Sequence, residues 1–106
     1  MDILPQELAA LLKASNPPRL LDVREPEEHE LAAIPNSTLI PLGQLAGRAC
    51  ELSQWKNEEI VVYCHHGIRS LHAIHLLRPL GFVRLVNLAG GIDGWARDVD
   101  AKVPRY

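Results

Sequence analysis

Short apolar runs of strand length alternate with helical patterns along this 106-residue chain, and this alternation constrains the fold most. The apolar runs lie at residues 20–23, 38–40, 60–63 and 85–88. Apolar residues at helical spacing lie at 4–12, 42–49 and 73–80, and again after Gly91. The run at 60–63 is β-branched, aromatic and apolar throughout, which is typical of a buried parallel strand. Strands that alternate with helices predict an α/β fold with a parallel sheet covered on both faces.

The composition is that of one globular domain, which we place at residues 1–106. Eleven Lys and Arg against 13 Asp and Glu give a net charge of −2, so no polybasic surface is predicted. We therefore expect neither a nucleic-acid partner nor a membrane partner. The first residues lack the basic stretch and apolar segment of a signal peptide, and no apolar run reaches membrane-spanning length. A cytoplasmic location is the expectation.

The two cysteines occupy different environments in the predicted fold. Two are too few for a disulfide framework or a four-cysteine zinc site. Cys50 lies in a helical pattern and is predicted to be an inert core residue. Cys64 follows the strand at 60–63 and opens a polar loop that leads into the next helix. In parallel sheets, ligands bind outside the carboxyl ends of the strands, so Cys64 lies where a site is expected.

The loop from Cys64 to Ser70 combines the features that activate a thiol. Gly67 supplies the backbone freedom of a tight curl in which N–H groups converge. The following helix contributes partial positive charge at its N-terminus, and Arg69 contributes a planar cation. These surroundings favour the thiolate form of a cysteine, which is its nucleophilic form. We predict that Cys64 is a nucleophile and that the loop can hold an anionic adduct on its sulfur.

The loop at residues 64–70 (CHHGIRS) is similar to the active-site loop of rhodanese-like sulfurtransferases. Three further segments resemble motifs of that family in the same order: 21–28 (LDVREPEE), 34–41 (IPNSTLIP) and 88–95 (LAGGIDGW). The chain has Ala32 and Ala33 where the family commonly has Gly-His. It also has Asn36 in place of a turn glycine, and Asn tolerates left-handed backbone.

The resemblance implies a rhodanese-like three-layer α/β/α domain with a mostly parallel five-stranded sheet. It implies that Cys64 is the catalytic residue, and that Asp22 and Arg24 give structural support near the site. It assigns substrate binding to the rest of the loop: His65, His66, Gly67, Ile68, Arg69 and Ser70. Gly90 and Gly91 are expected to form a turn and Trp95 to anchor the core. No metal and no cofactor are implied beyond a covalent persulfide on Cys64.

The implied activity is sulfur transfer. Cys64 would attack the sulfane sulfur of a donor such as thiosulfate, release sulfite and keep a persulfide, which cyanide or a thiol would then accept. The partners would be these small molecules and, in some family members, a sulfur-relay protein. The roles of His65 and His66 stay open. Their protonated rings either attract an anionic donor at the pocket mouth or face solvent, where only a backbone N–H acts.

Several alternative functions would use the same loop residues. Cysteine phosphatases and arsenate reductases of the same fold also use a thiolate loop, but theirs is longer than the four residues between Cys64 and Arg69. A non-catalytic interaction module would usually lack the cysteine. A redox-sensing thiol would need Cys50 as its resolving partner. His72 and His75 lie near the loop in sequence, but the spacing matches no zinc motif.

Overall fold

The computed structural model describes residues 2–106, which form five strands and five α-helices. In chain order they are β1 (Asp2–Ile3), α1 (Pro5–Leu12), β2 (Arg19–Asp22), α2 (Pro26–Leu31), β3 (Thr38–Leu39), α3 (Leu42–Arg48), β4 (Glu59–Tyr63), α4 (Ile68–Leu77), β5 (Arg84–Leu88) and α5 (Gly91–Asp98). Two 3₁₀ helices, Ala49–Trp55 and Arg78–Leu80, follow α3 and α4. Asn36 adopts a φ of 67°, a left-handed conformation that Asn tolerates.

The five strands form one sheet in the order β1-β5-β4-β2-β3, and all neighbouring strands are parallel. This confirms the predicted α/β fold. The strand β4 is central, with Tyr63 opposite Asp22 on β2 and Val62 opposite Asn87 on β5. Because the strands are parallel, the carboxyl ends of β2, β4 and β5 meet at one end of the sheet. The loop after β4 therefore begins beside the ends of two neighbouring strands.

Side-chain alternation along the strands divides the core into two layers. On one face, Val62 and Cys64 pack with residues of α3 and α4, among them Leu45 and Leu77. The opposite face of the sheet is covered by α1 and α5 in the same way. It buries Leu8, Val61, Tyr63, Leu88 and Trp95. The three-layer α/β/α arrangement expected from the family resemblance is confirmed.

The apolar residues at helical spacing in 73–80, which are Ala73, Leu76, Leu77 and Leu80, predict the buried face of α4, and this prediction is partly wrong. Ala73 and Leu77 are buried, but Leu76 and Leu80 are 39% and 45% exposed, and Ile74 is buried instead. The buried face of α4 also includes Ser70, which is polar and therefore could not be found from a pattern of apolar residues. Helix α4 also ends at Leu77, two residues before Pro79, because proline has no backbone N–H to continue the α-helical hydrogen bonds.

The predicted burial of Cys50 is also wrong, because its side chain is exposed. Cys50 lies in the 3₁₀ helix Ala49–Trp55, where Ala49 and Leu52 are the buried residues. With three residues per turn, positions three apart share a face, and Cys50 falls outside that face. In the part of the chain that the structure describes, no helix has the length and apolarity needed to cross a membrane.

Candidate active site

Cys64 lies directly after β4, at the carboxyl end of the central strand. Its side chain is 1% exposed and faces the core layer that contains α3 and α4. The loop is short, because α4 begins at Ile68. The strand and the helix N-terminus together hold the sulfur at a defined position, deep in the end of the sheet.

Two backbone amides donate to the Cys64 sulfur. The Gly67 N–H lies 3.0 Å from Sγ, and the Ser70 N–H lies 3.4 Å from it. The Ser70 hydroxyl oxygen is also 3.4 Å from Sγ. Gly67 has a φ of 114°, a conformation that residues with a side chain rarely adopt, and this turn aims the amides inward. Donors at a helix N-terminus stabilise negative charge, so the two amides are placed to interact with negative charge on an adduct of this sulfur.

The N-terminus of α5 fixes the backbone of the same loop. The Ile92 N–H donates to the Cys64 carbonyl at 2.9 Å, and the Asp93 N–H donates to the His65 carbonyl at 3.1 Å. Gly91 lies so close to the loop that a Cβ built there would be 2.4 Å from the His65 carbonyl oxygen. The predicted Gly90-Gly91 turn is therefore present, with φ values of 75° and 59°, and it also lets α5 contact the loop.

Asn87 is a buried polar residue that the sequence analysis missed. It is 3% exposed, and its Oδ1 accepts a hydrogen bond from the Ser70 hydroxyl. Its Nδ2 donates to the Asp2 carboxylate at 3.5 Å. Asn87 thereby joins β1, β5 and α4 directly behind the sulfur. A polar residue inside an otherwise apolar strand was the signal that could have identified it.

Arg69 is engaged in a bidentate ion pair with Glu28. Its two terminal nitrogens donate to the Glu28 carboxylate at 2.7 and 2.9 Å. The Tyr106 hydroxyl donates to Glu28 Oε2 at 2.7 Å and accepts from Arg24 Nη1 at 2.7 Å. The Arg69 guanidinium is the largest cause that lowers the pKa of Glu28, to about 2. Neither Glu28 nor Tyr106 was given a role from the sequence, so both residues were missed.

Asp22 and Arg24 form a fully buried pair next to this network. Arg24 donates to the two Asp22 carboxylate oxygens at 2.9 and 2.7 Å, and to the Ala32 carbonyl. His29 Nδ1 lies 2.8 Å from Asp22 Oδ2. Neither Asp22 nor Arg24 has a hydrogen bond to Cys64 within residues 2–106. Their geometry is that of structural support, and the supporting role stays a prediction.

The two loop histidines occupy different positions. The His65 ring stacks on both His66 and Tyr106, with centroids 3.9 Å apart in each pair. Burial is the main cause that lowers the pKa of His65, and neighbouring His66 lowers it further. His65 is therefore mainly neutral at pH 7. The His66 side chain is 62% exposed, with Nδ1 4.0 Å from Asp93 Oδ2. Among residues 2–106, no three His, Cys, Asp or Glu side chains form a metal-binding group.

Comparison with known proteins gives consistent matches. The family model "Rhodanese-like domain" matches residues 4–98. The chain is 43% identical to the putative sulfur carrier protein YrkF of Bacillus subtilis over 76 residues, which are 72% of this chain and 40% of that protein. It is 37% identical to a sulfurtransferase of Allochromatium vinosum over 74% of this chain and 71% of that protein. The solved human single-domain sulfurtransferase TSTD1 superposes with a TM-score of 0.76 at 30% identity, covering 92% of this chain and 96% of that one. The chain spans less than half the length of the first curated relatives it matches.

Proposed function

This chain belongs to the rhodanese-like domain family, and from this we propose that it is a sulfurtransferase whose Cys64 carries a sulfur atom as a persulfide. The observation that carries the proposal is the pair of backbone N–H groups, from Gly67 and Ser70, that donate to the Cys64 sulfur. Relatives named as a sulfur carrier and as a sulfurtransferase support the same general role.

In the first half-reaction, the Cys64 thiolate attacks the outer sulfur of a sulfane donor such as thiosulfate. The new bond joins the Cys64 sulfur to that outer sulfur, and the S–S bond of thiosulfate breaks. Its electron pair leaves with sulfite, so the charge balances when Cys64 keeps a persulfide anion. The amides of Gly67 and Ser70 would stabilise the negative charge on this adduct, because preorganised donors need no reorganisation during the reaction.

In the second half-reaction, a nucleophile takes the outer sulfur from the persulfide. Cyanide would form thiocyanate, and a thiol would form a new persulfide; in both cases the electron pair of the broken S–S bond returns to Cys64 as thiolate. No external oxidant or reductant is needed. A sulfur-relay protein is the proposed alternative to a small-molecule acceptor. The first relatives are longer than this chain, so such a partner could be another part of a longer protein.

The site favours sulfur transfer over phosphate-ester hydrolysis. Only four residues separate Cys64 from Arg69, which leaves a small loop around a single sulfur atom. Arg69 is also paired with Glu28, whereas a phosphoryl group would need that cation as a ligand. Phosphatase activity is therefore the weaker candidate.

The proposal is tested with a matched pair of cysteine variants. We expect Cys64→Ser to abolish sulfur transfer from thiosulfate to cyanide, because serine cannot form a persulfide. Cys50→Ser, which changes the exposed cysteine, should keep the wild-type rate. Circular dichroism checks that both variants are folded. Undiminished transfer by folded Cys64→Ser would refute the proposal.

A further inference from the structure

The cations around the active-site loop are paired with carboxylates. The ion pairs are Arg69–Glu28, Arg24–Asp22 and Arg105–Asp93, with nitrogen-to-oxygen distances of 2.7, 2.7 and 3.0 Å. Arg69 is the cation nearest to the cysteine in sequence and lies on the first turn of α4. Its pairing with Glu28 neutralises the positive charge that Arg69 would otherwise present to an anion at the loop.

Glu28 is well fixed in this position. Its side chain is 20% exposed, and it accepts two hydrogen bonds from Arg69 and one from the Tyr106 hydroxyl. Tyr106 is in turn held by Arg24 and stacks on His65. The lowered pKa of Glu28, about 2, keeps the carboxylate charged throughout the neutral range. A substrate anion must therefore compete with a preorganised carboxylate for Arg69.

We infer that Glu28 is a specificity-determining residue that withholds the Arg69 cation from dianionic sulfur donors. The site then selects sulfane donors that carry a single negative charge, as organic thiosulfonates and persulfides do, over thiosulfate. The physical reason is that a dianion costs more to desolvate than a monoanion, and Arg69, Arg24 and Arg105 are all paired and so do not offset that cost. This inference rests on the proposed sulfur transfer through Cys64.

Two donors with the same reacting bond separate charge from reactivity. Thiosulfate transfers its outer sulfur and releases sulfite, a dianion. Methanethiosulfonate transfers its outer sulfur to the Cys64 thiolate in the same way and releases methanesulfinate, a monoanion. In both cases one S–S bond forms, one breaks, and the leaving group takes the electron pair. The main difference between the two donors, when they bind at the rim of the active site, is therefore one unit of negative charge.

The experiment measures kcat/KM for both donors, with cyanide as acceptor, in wild type and Glu28→Gln. Glutamine keeps the size of the side chain and removes its charge, so Arg69 becomes an unpaired cation. We expect kcat/KM to rise about tenfold for thiosulfate and about threefold for methanethiosulfonate, since Coulomb energy scales with the charge of the donor. The gain should disappear at about 1 M salt, where the screening length is short.

Glu27→Gln is the matched control, because Glu27 is the neighbouring exposed carboxylate on α2 and has no ion pair within residues 2–106. It should leave both kcat/KM values within about twofold of wild type, since exposed charges are strongly screened. If Glu28→Gln fails to fold, wild type alone still tests the inference. Its thiosulfate kcat/KM should not fall by more than about twofold between about 0.01 M and 1 M salt.

An equal loss of kcat/KM for both donors in folded Glu28→Gln would overturn the inference, because it would make Glu28 only a brace for Arg69. A steep fall of the wild-type thiosulfate rate with salt would also overturn it, because it would reveal a free attractive cation. Wild type that transfers sulfur from neither donor would instead refute the proposed function, and the inference would fall with it.

Discussion

Replacement of Gly91 by alanine perturbs the contact between α5 and the active-site loop. An ideal Cβ at this position would lie 2.4 Å from the His65 carbonyl oxygen and 2.5 Å from the Cys64 carbonyl oxygen. Both oxygens accept hydrogen bonds from α5, so neither can move away without loss of a bond. The φ of 59° adds a penalty of about 1–2 kcal/mol for a residue with a side chain.

The sum of these effects gives the expected loss of stability. Two weakened hydrogen bonds cost about 1 kcal/mol each, so with the backbone penalty Gly91→Ala should lower the free energy of unfolding by about 3–4 kcal/mol. The assay is urea unfolding followed by circular dichroism. Gly47→Ala is the control: apart from the neighbouring backbone of its own helix, no atom of residues 2–106 lies within 4 Å of an ideal Cβ there, and an alanine in α3 should raise stability by about 0.5–1 kcal/mol. A Gly91→Ala variant within about 0.5 kcal/mol of wild type would refute the packing argument.

Three further changes test the charged and polar network. Arg69→Ala should lower the rate of sulfur transfer more than it lowers the unfolding free energy, because it leaves Glu28 as an unpaired negative charge; a selective loss of stability would identify Arg69 as a brace. The pKa of Glu28 is about 2 in the folded protein against 4.5 ordinarily, so its stabilisation is complete above pH 4.5 and lost as the pH falls towards 2. Acid titration of stability should therefore show a larger loss in wild type than in Glu28→Gln. Tyr63→Phe should lower the unfolding free energy by about 1–2 kcal/mol, because it leaves the Ile34 N–H and the Ser37 hydroxyl without their Tyr63 hydrogen bonds; a urea midpoint equal to that of wild type would contradict this.

The fold was largely predictable because its signals are local. The strand β4, the helix α4 and the loop between them are contiguous in sequence, and their residue types determine the turn that carries Cys64. The strand β1 was missed because Asp2–Ile3 has only two residues and no readable alternation. It forms because it pairs with Asn87 and Leu88 on β5, which lie near the other end of the chain. Pairing between residues so far apart leaves no pattern within the few residues of the strand itself.

The contacts that complete the site are long-range and could not be read from spacing. Glu28 meets Arg69 across 41 positions, and Tyr106 meets Glu28 across 78. Glu28, Arg69 and Tyr106 are residue types that are common at protein surfaces. Only tertiary packing brings them together, so their spacing in the sequence does not show the contact. Cys50 was misplaced for a different reason: free cysteines are commonly buried, but here the chain forms a 3₁₀ helix whose buried face excludes Cys50.

The most direct test of the account is the mass of the intact protein after incubation with a sulfane donor and removal of the excess. Thiosulfate and methanethiosulfonate are each used with wild type, Cys50→Ser and Cys64→Ser. We predict a gain of one sulfur atom, about 32 Da, in wild type and Cys50→Ser and no gain in Cys64→Ser, with the added sulfur removed by cyanide. Absence of the added sulfur from wild type with both donors, or its presence on Cys64→Ser, would contradict the claim that Cys64 is the sulfur carrier.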